Sequence, residues 1–174
     1  MRKQAKRLII LILLMTFSMT NQVYAQGPVQ TAPFGPKVTD LKNKQDILNN
    51  FQQIKTIRSN LTIIDIRSDS TPQQLQAVNI QNYIDQMQGV RDNLQKHINT
   101  YGDSFTDVFF SEQIMFIAES YIISMRHQQF LIRSIENNLE DSKNLFYSSY
   151  LIPVYYYLTL GDQMTAYIDV YFVI

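Results

Sequence analysis

Two histidines, His97 and His127, are the only imidazoles in this sequence and its obvious candidates for proton transfer near neutral pH. His97 belongs to a run of Ile80, Tyr83, Met87, Val90, Leu94, His97 and Tyr101 that advances by threes and fours. That spacing lines one helical face, so the ring is expected as a hydrogen-bonded member of a core, with pH sensing as the functional alternative. His127 follows Arg126 and is expected beside the polar pair Gln128 and Gln129. A metal would want a second ligand at helical spacing, as in Glu-x-x-His or His-x-x-x-His, and neither pattern occurs. Glu112 and Glu119 lie seven residues apart on a helical stretch but have no histidine partner, so they are expected on a solvated face. No metal or other cofactor is expected.

Nucleophilic chemistry has even less to work with. The chain has no cysteine, which removes thiol catalysis, thiolate metal sites, disulfides and a lipid-modified cysteine together. There is no G-x-S-x-G elbow and no S-x-x-K. Asp65, Asp69, Asp85 and Asp92 are dispersed rather than paired, and the five glycines are too scattered for a phosphate loop. The sequon Asn60-Leu61-Thr62 falls inside a predicted helix and is read as chance. An enzyme is not expected.

What the sequence has in excess is tyrosine near its C-terminal end: Tyr147, Tyr150, Tyr155, Tyr156, Tyr157, Tyr167 and Tyr171. Tyrosine offers a large contact area with a polar tip and is enriched where proteins meet. Three in a row cannot all face one core, so at least one should point outwards. Tyr155, Tyr156, Tyr157, Tyr167, Tyr171 and Phe172 are therefore the candidate partner-binding residues.

The elements that would position these residues follow from composition and patterning. Met1 to Ala25 has the layout of a bacterial-type secretory signal: Arg2, Lys3, Lys6 and Arg7, then an apolar run from Leu8 to about Met19, then Val23-Tyr24-Ala25. Cleavage is expected after Ala25, sending the mature chain to the periplasm or outside the cell with no further membrane span. Loss of those four basic residues leaves 11 basic against 15 acidic side chains, a net charge of −4 that disfavours nucleic acid as a partner. Residues 26–38 hold three of the five prolines and read as an extended linker or docking arm.

Residues 39–144 are predicted to form three long helices in an antiparallel bundle. The first runs from Asp40 to Ile66 with Thr39 as cap. Thr71-Pro72 opens the second, which contains Gly89 and ends at Tyr101 on a left-handed Gly102. Gly89 is expected where a neighbouring helix comes close. Ser104, with Asp107 three residues on, opens the third, which runs from Phe105 to Asn144. Its two apolar rows predict a central helix. One contains Val108, Met115, Ala118, Ile122, Met125, Ile132 and Leu139; the other contains Phe110, Ile114, Ile117, Tyr121, Leu131 and Ile135.

Residues 145–174 are predicted as a C-terminal β-hairpin or, alternatively, an aromatic-rich fourth helix after Pro153, giving a mainly α, or α+β, fold. The hairpin strands are Val154–Leu160 and Thr165–Ile174 around a Gly161–Met164 turn. Such a hairpin would offer an edge to which a partner adds a strand.

The functional expectation is an exported, non-catalytic structural subunit of an envelope-associated assembly, for example a secretion-system accessory component. It would bind protein partners in the envelope or form an oligomer. The alternative is a periplasmic helical ligand-binding or sensory module, with Tyr83, Met87, His97, Tyr121 and Met125 around a small molecule.

Overall fold

The computed structural model describes residues 35–61, 73–137, 144 and 146–173. Among the described residues a 3₁₀ turn at Val38–Asp40 precedes four α-helices: α1, Lys44–Asn60; α2, Gln73–Tyr101; α3, Phe105–Asn137; and α4, Leu151–Val173. A π turn over Phe146–Tyr150 leads directly into α4. Pro153, which cannot donate to the carbonyl four residues back, lies near the passage from one helical type to the other.

Contacts between side chains fix the helix directions. Gln81 meets Gln129, Arg91 meets Glu119 and His97 meets Asp107, so α2 and α3 are antiparallel. Ser124 meets Val154 and Phe110 meets Tyr171, so α3 and α4 are antiparallel as well. Lys55 reaches Asp169 while Arg58 reaches Asp162, which sets α1 against α4 in the same sense. The result is an up-down-up-down bundle.

The core is built at helical periods. From α1 come Ile47, Phe51, Ile54 and Ile57; from α2, Ile80, Ile84, Met87, Val90 and Leu94. Ile84 takes the place predicted for Tyr83, which is only partly buried. Both apolar rows of α3 are used: Phe110, Ile114, Ile117, Ala118, Tyr121, Ile122, Met125, Leu131 and Ile132 are buried. This helix packs on all three others, as its double row requires. Burying one such side chain stabilises by roughly 1.5–3 kcal/mol. Among the described residues α3 is also the one helix long and apolar enough to cross a bilayer, but 56% of that stretch is covered by the rest of the protein.

The largest correction concerns the tail. There is no β-hairpin: among the described residues no strand exists, and the predicted strands lie within α4. Val154, Leu158, Gly161, Ile168 and Tyr171 are its buried positions, spaced by three, four and seven. The strand reading grouped Ala166 with Ile168, yet Ala166 is exposed while Ile168 is completely buried. β-branched and aromatic residues favour strands only as a weak prior, and packing along α3 overrides it. Gly161 is not a turn residue; it lies against the Tyr121 ring, which a Cβ at this position would strike. Strand addition at the tail loses its basis with the hairpin.

Smaller corrections follow the same logic. Asn43, not Thr39, caps α1, accepting from the Asp46 N–H at 3.2 Å. The helix ends at Asn60 rather than Ile66, with Leu61 already extended. Gly102 does not adopt positive φ. A Cβ at Gly89 would meet nothing within 4 Å, so no helix approaches there. The described part of α3 stops at Asn137. The Thr71-Pro72 start signal, Leu139, Ile174 and the signal sequence lie outside the described residues.

Candidate functional site

Two regions concentrate polar or aromatic side chains. The first is a buried hub where three helix ends meet. Asn43 and Ser104 cap α1 and α3, and each has an aspartate three residues on, Asp46 and Asp107. His97 lies in the last two turns of α2, between those acids. Its Nδ1 approaches Asp46 Oδ2 at 2.7 Å and its Nε2 approaches Asp107 Oδ1 at 2.9 Å. Each ring nitrogen is thus within hydrogen-bond distance of one carboxylate, so the flat ring bridges the two acids. The two carboxylates lie in the first turns of α1 and α3, where the helix macrodipole favours negative charge.

Asp107 is the centre of this hub and fully buried. It accepts from His97, from the Ser104 hydroxyl, and from the backbone N–H groups of Lys42 at 3.1 Å and Asn43 at 3.5 Å. Burial pushes its carboxyl up, but the donors outweigh burial and hold it below the usual carboxylate range. Asp46 also accepts from the Asn50 amide at 3.3 Å. Chemically the hub is occupied. The Ser104 hydroxyl points to Asp107 rather than to the imidazole, and both ring nitrogens are already engaged by carboxylates. It joins α1, α2 and α3.

A second polar knot lies midway along the bundle. Arg58 grips Asp162 through two nitrogens, at 2.7 and 2.8 Å, and the Tyr121 hydroxyl donates to the same carboxylate at 2.8 Å. Burial raises the Asp162 carboxyl, yet the guanidinium and phenol hold it below its ordinary range. Burial, with the adjacent Asp162 carboxylate, pushes the Tyr121 hydroxyl well above the usual tyrosine range. Glu119 is bound by Arg91 at 2.7 Å, while Glu112 is exposed; no metal-holding group of three ligands occurs among the described residues.

The second region is aromatic and lies where the C-terminal half of α3 meets the start of α4. His127 does not face Gln128 and Gln129; its ring stacks on Tyr157 at 6.3 Å and 10°, with Phe130 and Tyr150 edge-on. Tyr157 in turn meets Tyr156 edge-on at 5.2 Å. In and around this ring cluster large apolar side chains are open to water: Phe130 is 50% exposed, Tyr147 50%, Ile152 73%, Tyr155 43% and Tyr156 60%. Ile152, Tyr155 and Tyr156 share one side of α4, being three and four residues apart.

The six predicted partner-binding residues thus divide. Tyr155 and Tyr156 are on the surface and Tyr157 lies half-buried under His127. Tyr167 and Tyr171 bond hydroxyl to hydroxyl at 2.9 Å, and Phe172 fits between Phe51 and Phe110. Tyr171 is buried against Phe109 and Phe110, and burial with the Tyr167 hydroxyl pushes its own hydroxyl up to about 12. Of these three, Tyr171 belongs to the core and Tyr167 and Phe172 are partly buried against it.

The residues considered for a ligand site are close-packed: Met87, Tyr121 and Met125 are completely buried, and His97 is committed to the hub. Sequence reasoning missed Asp46 and Asp107 as partners of His97, although Asn43-x-x-Asp46 carries the same capping signal as Ser104-x-x-Asp107. It also missed Phe130 and Ile152, which no periodic rule marks as exposed. In comparisons with known proteins the chain matches no family model, no curated protein and no solved structure, so its function is read from these residues alone.

Proposed function

We propose that the chain is an exported, non-catalytic interaction subunit of an envelope-associated assembly, which holds a protein partner on the aromatic face around Tyr155 and Tyr156. The observation that carries this reading is the exposure of Ile152, Tyr155 and Tyr156 on one side of α4, with Tyr147 exposed in the π turn that leads into it. Water-facing rings in such a group favour contact with another protein. The hub supports it from the other direction, because its one histidine is consumed in holding helices together. Export rests on the charged, apolar and small-residue layout of Met1 to Ala25.

A photo-crosslinking side chain in place of Tyr156, compared with one in place of exposed Asn99 on α2, tests the binding face in the native cell. Discrete protein adducts are expected from position 156 and none from 99; equal yields from both would count against the proposal. N-terminal sequencing of the envelope fraction should begin at Gln26. Turnover of a substrate that is lost in a folded His127→Ala variant would overturn the non-catalytic reading.

A further inference from the structure

We infer that the partner on this face is a second copy of the same chain, paired about a two-fold axis through Ile152, Tyr155 and Tyr156. The inference rests on the adhesive reading above and names its occupant. Its first support is charge. From Asn144 to Gly161 the sequence contains no Asp, Glu, Lys, Arg or His. Two-fold pairing lays a surface patch against its own copy, so any charge near the axis would face its like. This stretch presents none. Its exposed polar tips are chiefly hydroxyls of tyrosine, serine and threonine, which both donate and accept and can therefore bond to one another across an axis. A partner recognised by charge would find nothing here to select it.

The second support is area. Aromatic side chains contribute about 150–250 Å² each when buried. With Tyr147, Ile152, Tyr155 and Tyr156 each between 43% and 73% exposed along the π turn and the start of α4, the patch offers on the order of 500 Å². Two such patches bury on the order of 1,000 Å² together, the size at which a specific interface becomes stable. The patch also matches the largest apolar area a monomer usually leaves open, roughly 300–600 Å².

Sedimentation velocity of the purified mature chain, from low to high micromolar concentration, tests this. A reversible dimer is expected. The double variant Ile152→Asp/Tyr156→Asp should weaken it by on the order of a hundredfold, because it places like charges across the axis. Phe105→Asp alters an equally exposed apolar residue, 73% open at the hub end, and should leave the dimer unchanged. On the wild type alone, hydroxyl-radical labelling of Tyr155 and Tyr156 should fall as dimer forms while labelling of Phe105 stays constant. A dimer indifferent to the double variant, or labelling at Tyr156 indifferent to concentration, would overturn the inference. A monomer at every concentration would overturn it too. The crosslinker at position 156 then separates the two readings: a discrete adduct with a different protein leaves the adhesive face standing, and no adduct removes both.

Discussion

The two histidines occupy opposite kinds of surroundings. His97 sets both ring nitrogens against carboxylates, the buried Asp107 and the part-exposed Asp46, and its neighbours are helix ends. His127 is surrounded by rings, and those rings lead outwards to open surface. One region has converted polar chemistry into rigidity; the other leaves apolar chemistry unspent at the surface. The difference shows that a residue type says little until its partners are known. A titratable ring in the core became a fastening, while uncharged tyrosines became the better candidate for function.

The sharpest way to break this contrast is to attack the hub. Asp107→Ala strands His97 and two backbone N–H groups away from water and should cost about 3–5 kcal/mol, read from the midpoint of urea unfolding. A loss below 1 kcal/mol would mean the hub is not what holds α1 to α2 and α3. Next in size is Gly161→Ala, whose new methyl meets the Tyr121 ring; about 1–3 kcal/mol should be lost.

Acid should act on the polar regions before the aromatic one. Asp107 and Asp162 have folded-state carboxyls below their ordinary range, so the stability they contribute is complete above the unfolded value of about 3.9. It is lost as pH falls through that value towards the folded ones. Unfolding free energy should thus decline below about pH 4, with a shallower slope in Asp162→Asn, whose side chain no longer takes up a proton. Gly89→Ala has the opposite sign to Gly161→Ala: it enters open space on α2 and should stabilise by about 1 kcal/mol. Tyr156→Ser should move stability by less than about 0.5 kcal/mol while reducing self-association. A large loss of stability there would place that tyrosine in the core and end the contrast.

Much of the bundle was legible because it is local. The threes and fours of α2 mark its buried side, and the two rows of α3 mark a helix with neighbours on both flanks. Ser104 and Asp107 announce the start of α3. The tail was harder because α4 is apolar almost all round, so a period of two fits its letters nearly as well as 3.6. Only contact with α3, through Val154, Gly161 and Ile168, decides between them. The hub was legible one residue at a time but not as a group. His97 and Asp46 are 51 positions apart, and nothing along the chain says that two capping aspartates converge on one imidazole.

That convergence also makes the imidazole a ruler. Its two nitrogens lie on different sides of a flat, stiff ring, so the ring sets the gap between the Asp46 and Asp107 carboxylates, and with it the spacing of two helix starts. Lysine ends in a single flexible tip and cannot span that gap in both directions. A His97→Lys chain would keep a donor at this position yet lose the register between α1 and α3, which makes shape the property this position demands.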